Sequence, residues 1–194
     1  MKRFILALTV FAGPMLLGQG AVHAEKADRD KPLKIEADKL DYDDLKQQSV
    51  FSGRVSLVKG SIEMRGDRLD VRQDPDGFQY AVLTPSVGSR SSYRQKRDIQ
   101  NESVEGIAQR IEYDGKEDKI YLIGNAELKR YRGLVVSDEL SGQRIVYENL
   151  TDKFTVDGKL PAGFGAGLGN ASGTGAGSRV KAILSPAKPS EVKQ

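Results

Sequence analysis

The sequence predicts an all-β chain on three observations. Apolar residues between Leu33 and Val156 alternate in short runs, turn-forming clusters separate the runs, and a 21-residue pattern occurs twice, 71 positions apart. Alternation of this kind marks strands with one buried face, and no segment carries the three-and-four spacing of an amphipathic helix.

The first 24 residues are set apart from the fold. Lys2 and Arg3 precede an apolar run from Phe4 to Leu17, and Val22-His23-Ala24 follows, the pattern of a secretory signal peptide cleaved after Ala24. The run falls short of the roughly 20 residues a membrane span needs and is interrupted by Gly13-Pro14. Without Lys2 and Arg3, the 30 basic residues fall to 28 against 27 acidic ones, so the balance is only +1 and does not point to nucleic acid. Removal of the segment also removes His23, the only histidine, and the chain has no cysteine. The usual zinc ligands, the Ser-His-Asp triad and the Cys-His dyad are thereby excluded, and stability must come from burial rather than disulfides. No metal, cofactor or catalytic residue is assigned.

After a flexible start over 25–32, the strands follow in order. Leu33, Ile35 and Ala37 alternate, then Phe51, Val55 and Leu57, Ile62 and Met64, Leu69 and Val71, and later Leu122, Ala126 and Leu128. Turns are expected at Tyr42-Asp43-Asp44, Lys59-Gly60, Arg65-Gly66-Asp67, Asp74-Pro75-Asp76-Gly77, Asp114-Gly115 and Ser141-Gly142. Gly88 to Asn101 is polar, with Arg90, Arg94, Lys96 and Arg97 around Tyr93. It reads as a solvated connection in preference to a basic lip for phosphate groups. Residues 161–178 hold too little apolar surface to offset their ordering entropy and read as a flexible loop. Their glycines fail the spacing of a nucleotide-binding loop. Val180, Ala182 and Leu184 then alternate in a last strand over 179–186, and 187–194 is a disordered tail.

The repeat places Ala37 to Leu57 over Ala108 to Leu128, and a third, weaker copy begins near Arg144 with Ile145, Tyr147, Glu148, Phe154, Val156 and Gly158 in matching places. Such repeats mark stacked architectures in which each unit buries its face against its neighbours. Asp41, Asp43, Asp44, Asp114, Glu117 and Asp118 could be offered as paired catalytic acids or calcium ligands. Their recurrence at matching repeat positions, beside Tyr42 and Tyr113, instead marks turn chemistry.

Leu33-Lys-Ile-Glu-Ala-Asp-Lys-Leu40, Phe51-Ser-Gly-Arg-Val-Ser-Leu57, Gly66-Asp-Arg-Leu-Asp-Val71 and Gly124-Asn-Ala-Glu-Leu128 together resemble the OstA-like family, over Leu33 to Pro186. The glycine-rich segment departs from the pattern, being longer than the connection expected there. The resemblance implies an open, slightly twisted, V-shaped β-jellyroll of stacked antiparallel strands with an apolar groove between two sheets. It implies a non-enzymatic task in the periplasm, carrying lipopolysaccharide from an ATP-driven inner-membrane extractor to an outer-membrane translocon. It also implies partners of the same fold: an inner-membrane-anchored LptC-like jellyroll, the periplasmic domain of an LptD-like translocon, and further copies of the chain joined head to tail.

An apolar groove suits such cargo, because each exposed methylene of an acyl chain costs about 0.8 kcal/mol in water. The positions expected to line it are Leu33, Ile35, Ala37, Phe51, Val55, Leu57, Ile62, Met64, Leu69, Val71, Tyr113, Leu122, Leu128 and Tyr147. The edges expected to join copies are Leu33, Ile35 and Ala37 at one end and Val180, Ala182 and Leu184 at the other. The alternative is a structural or adhesin-like secreted β-repeat protein without lipid cargo.

Overall fold

The structure is a computed structural model that describes residue 28 and residues 30–97, 101–159 and 179–184. The expected signal peptide, the segment 161–178 and the tail lie outside the described residues.

Twelve strands form one antiparallel sheet. They are β1 (Leu33–Glu36), β2 (Lys39–Asp43), β3 (Gln48–Lys59), β4 (Ile62–Gln73), β5 (Gln79–Thr84), β6 (Ser91–Lys96), β7 (Glu102–Ala108), β8 (Arg110–Asp114), β9 (Lys119–Arg132), β10 (Val135–Glu148), β11 (Lys153–Asp157) and β12 (Lys181–Leu184). The pairing resolves into eight antiparallel runs: β1 with β2, β3, β4, β5 with β6, β7 with β8, β9, β10, and β11 with β12. Each run contributes one segment to each of two half-sheets. The first half-sheet orders β1, then 55–59 of β3, 62–66 of β4, β6, β7, 126–132 of β9, 135–142 of β10, and β12. The second orders β2, 48–52 of β3, 68–73 of β4, β5, β8, 119–123 of β9, 144–148 of β10, and β11.

The half-sheets face each other. A Cβ on Gly106 of the first would lie 2.6 Å from Leu122 Cδ1 of the second, and one on Gly66 would lie 2.8 Å from Leu83 Cδ1. One buried cluster draws on both, including Leu57, Ile62 and Met64 from the first and Leu69, Leu83 and Ile111 from the second. Two facing antiparallel layers joined by strands that pass between them are the β-jellyroll the resemblance implied.

The strands turn from one layer to the other at irregularities that the repeat reproduces. In β3, Gly53 and Arg54 take φ of 80° and 46°; in β9, Gly124 and Asn125 take 79° and 46°. In both places two residues oppose one, because pairing jumps from Ser52 to Val55 against β4 and from Ile123 to Ala126 against β10. These are β-bulges, which bend a strand. The preceding copy segment closes over each: Asp38 N donates to Gly53 O and Gln109 N to Gly124 O, both at 3.0 Å. Arg54 grips the Asp38 carboxylate, with Nε 3.0 Å from Oδ1, and this hydrogen bonding holds the Asp38 pKa below its ordinary value. The hairpin turns repeat as well, with Gln47, Asp118 and Asp152 at φ of 50°, 53° and 56°.

The repeat also locates the glycine-rich segment. Ile35 opposes Leu57 in the first copy and Gly106 opposes Leu128 in the second. The third copy trails the second by 34 residues, which would set Leu140 opposite position 162. Leu140 instead opposes Ala182, twenty residues later. β12 thus continues the third copy's second strand beyond β11, and the sequence carries twenty extra residues between Gly158 and β12.

Two outcomes follow. Deleting 161–180 joins position 160 to Lys181 in the repeat's own register, so amide-exchange protection across Asp138–Ser141 is expected to persist, whereas deleting 161–184 removes it from the amides that face β12 and leaves it on those that face β9. Gly124→Val forces a branched side chain into the left-handed region and against Gln109, whose Cβ lies 3.0 Å from the added Cβ. Chemical denaturation is expected to show a loss of about 2–4 kcal/mol, against about 1 kcal/mol for Gly88→Ala, where φ is +81° but nothing lies within 4 Å.

Candidate lipid-binding interior and chain ends

Every expected groove position except Ala37 lies on the inward faces. Val55, Leu57, Ile62, Met64, Leu69, Tyr113, Leu122, Leu128 and Tyr147 belong to the buried cluster, and Leu33, Ile35, Phe51 and Val71 pack half-buried against it. Ala37 sits exposed between β1 and β2, although its counterpart Ala108 is fully buried. The reason is neighbours: β7 and β8 have strands on both sides, whereas β1 and β2 pair only with β3.

The interior is closed along its middle and open at its ends. Tyr113 and Tyr147 are 4% and 0% exposed, but Tyr42 in the same repeat position of the edge strand β2 is 57% exposed, and Leu40 beside it 54%. The Tyr42 hydroxyl donates to Asp44 Oδ1 at 2.8 Å, which raises the phenol's pKa. At the opposite end, Tyr147 stacks on Phe154 with ring centroids 4.4 Å apart, and Phe154 and Val156 of β11 are only half-buried. Val180, Ala182 and Leu184 are exposed there on or beside β12, and Ala182 opposes the inward Leu140. The expected joining edges therefore fall at the two ends of the interior, Ala37 being at the corner rather than within β1.

Between the hairpin tips, opposite the corners, the half-sheets are linked by polar groups. Arg97 Nε lies 3.0 Å from Asp152 Oδ1 and its guanidinium also pairs with Glu102, which Arg132 Nε meets at 3.0 Å. Tyr147 OH donates to Asp152 at 3.1 Å. Arg97 and Glu102 side chains are both 3% exposed, so the pair is buried and removing one partner would strand the other. Arg130 and Asp138 form a second inward pair.

Two readings of the polar segments meet different outcomes. The expected solvated connection at Gly88–Asn101 is corrected: Ser91 to Lys96 is a central strand, with Ser91 and Gln95 fully buried and Tyr93 2% exposed. Arg94 and Arg90 point outward and are paired, with Glu105 at 3.5 Å and Glu127 at 2.7 Å, whereas Arg97 is buried between the layers. The acidic residues do serve turns, since Asp43 Oδ1 accepts from Lys46 N at 3.1 Å and Asp114 Oδ1 from Lys116 N at 2.9 Å. Among the described residues no three acids gather as a metal site.

Sequence reading missed Leu83, Tyr93, Val104, Ile111, Ile120 and Ile145 as interior positions. Ala81 and Leu83 alternate and could have been found; Ile111 and Ile145 were legible from the repeat. Tyr93 was hidden because its inward neighbours, Ser91 and Gln95, are polar.

The chain resembles proteins of one kind. It is 27% identical over 147 residues to the lipopolysaccharide export system protein LptH of Pseudomonas aeruginosa, covering 75% of this chain and 80% of that one. It is 28% identical over 138 residues to lipopolysaccharide export system protein LptA of Escherichia coli strain K12, covering 71% of each. The crystal structure of P. aeruginosa LptH, described as the LptA homologous periplasmic component of the conserved lipopolysaccharide transport device, superposes with a TM-score of 0.67 at 21% identity, over 82% of this chain and 99% of that one. Residues 34–153 match the family described as LptA/(LptD N-terminal domain) LPS transport protein, and the chain belongs to that family.

Proposed function

We propose that this protein is a non-enzymatic lipopolysaccharide carrier of the periplasm, shielding lipid A acyl chains between its half-sheets and passing them from an inner-membrane extractor to an outer-membrane translocon. The observation that carries this reading is the interior itself. One apolar surface runs through three copies of a repeat, is shared by both layers, and ends in exposed apolar side chains at both edges of the sheet. A protein whose apolar face served only as its own core would gain nothing from leaving Leu40 and Tyr42 exposed at one end and Ala182 and Leu184 at the other. The names of the relatives, lipopolysaccharide export system proteins, point the same way.

Acyl chains entering this interior replace contacts the side chains now make with one another. The layers are tied covalently at the corners and by few polar links on the opposite side, so separation there costs least. Unpaired edges are a liability in an isolated sheet. Here β1 and β2 at one end, and β11 and β12 at the other, would join copies by strand addition, continuing the interior from molecule to molecule. The same geometry would seat an LptC-like jellyroll at one end and the periplasmic domain of an LptD-like translocon at the other.

Two measurements test this. A photo-crosslinking residue at Ile35, which is inward and only half-buried, is expected to capture lipopolysaccharide, and one at the outward Glu36 is not; equal labelling of both sinks the groove. Sedimentation is expected to show mass rising with concentration for the full chain and for the 161–180 deletion, and no such rise when 161–194 is removed. Unchanged association in that last variant would remove β12 from the joining edge.

A further inference from the structure

On the basis of the carrier reading, we propose that the cavity beside Lys59, on the open side between the hairpin tips, is the site that holds the anionic, phosphorylated head of the amphiphilic cargo. The cavity has a volume of about 220 Å³ and is lined by Lys59 from the first half-sheet and by Gly77, Phe78, Gln79, Tyr113 and Gly115 from the second, with Asp30 at its rim. It is thus formed between the layers, at the mouth of the interior rather than on an outer face.

Lys59 is an unusual residue for its position. It follows Val55 and Leu57 on the inward face of β3, is 7% exposed, and its ammonium lies 5.9 Å from the centre of the Tyr113 ring. It donates to the backbone carbonyl of Lys31 at 3.1 Å. A lysine at the end of an apolar stripe reaches toward water along its own stem, and so brings a positive charge to the boundary between the apolar interior and solvent. That boundary is where the head of an amphiphile must sit when its chains lie on Leu57, Ile62 and Tyr113.

The repeat supplies a second observation. Arg130 stands 71 positions after Lys59, in the same place of the second copy, and also faces inward. The two full copies therefore put a cation at the same inward position, between Leu33 and Ile62 in the first and between Val104 and Asp138 in the second. The second is paired with Asp138, and the first lines the cavity. The rim carboxylate of Asp30 opposes an anion there, and its removal strengthens binding.

The test is displacement of a fluorescent lipid from the full chain by lipid A and by the same lipid stripped of its phosphates, with inorganic phosphate as a third competitor. The intact chain is expected to prefer the phosphorylated lipid. Lys59→Met should cut affinity for that form about tenfold and leave the stripped form within about twofold, as loss of one charge-assisted contact predicts, and Lys59→Arg should restore it. Asp30→Asn, at the rim and remote from the core, should raise the preference for the phosphorylated form, which keeps the test decisive if Lys59→Met fails to fold. Equal losses for both lipids, an unmoved preference in Asp30→Asn, or displacement by inorganic phosphate as effective as by the lipid would overturn the site. Failure of the intact chain to bind either lipid would overturn the carrier reading instead.

Discussion

Everything in this structure depends on a backbone constraint: a single strand must serve two layers. A straight strand can bury one face against one partner layer, and a run of 12 to 14 residues such as β3 or β9 would project half its length into solvent. The chain bends these runs by placing two consecutive left-handed residues where the layers meet, Gly53-Arg54 and Gly124-Asn125. Glycine leads each pair because a side chain there meets Asp38 or Gln109 from the segment folded over it. Arg54 and Asn125 follow at a conformational cost of about 1–2 kcal/mol, which hydrogen bonds from the closing segment and the packing of both layers offset. Once the corners are set, facing of the layers, burial of the interior and the position of both open ends follow.

The repeat is then a repeat of corners and turns more than of side chains. Tyr42, Tyr113 and Tyr147 occupy one position in three copies, yet their exposure depends on what lies next to them. The inner two are buried because strands flank them, and the outer one is left open because the sheet ends there. An array in which each unit completes its neighbour has no internal reason to stop. Its terminal units are either capped by polar residues or left able to accept another unit, and Leu40 and Tyr42 are not polar caps.

Strand type and four of the six expected turns were legible in the sequence because each half-run alternates cleanly. The turns expected at Arg65-Gly66-Asp67 and Ser141-Gly142 instead lie inside the continuous strands β4 and β10, where the chain passes from one layer to the other. The folding of runs into two layers was not legible, since it resides in a change of phase. Inward residues of β4 are even-numbered through Ile62, Met64 and Gly66, then odd-numbered from Leu69 and Val71. β10 changes likewise between Leu140 and Ile145, whereas β3 and β9 keep phase through their two-residue bulges. To a reader of periodicity such a change looks like the end of one strand and the start of another. The strand β6 was lost for a different reason. Burial of Ser91 and Gln95 inverts the hydrophobic signal, and the hydrogen bonds from Tyr93 to Gln95 and from Gln95 to Asp28 show how the Gln95 amide is satisfied inside. A candidate site defined by apolar positions therefore emerged nearly whole, while the inward charges of Lys59, Arg97 and Arg130 required the register to be seen.

An interior of interchangeable aliphatic side chains creates a problem of register that its own packing cannot solve. A slip of one residue turns the whole inward set to solvent and is strongly disfavoured, but a slip of two keeps every face and changes only which aliphatic meets which. The outward face of the first half-sheet discriminates where the interior does not. Glu63 opposes Arg94, Arg94 opposes Glu105, Glu105 opposes Lys129, and Lys129 opposes Glu139, an alternating row of charge across five strands. Two of these contacts close to 3.5 Å and 3.4 Å. Each exposed pair contributes only about 0.2–1 kcal/mol. A two-residue slip of β7 along β9, however, would set Glu105 against Glu127 or Tyr131, exchanging attraction for repulsion or for nothing. The penalty falls on the slip the core tolerates. Register is thus written on the outside, which leaves the inside free to be smooth, unselective among acyl chains, and separable without loss of the strand order.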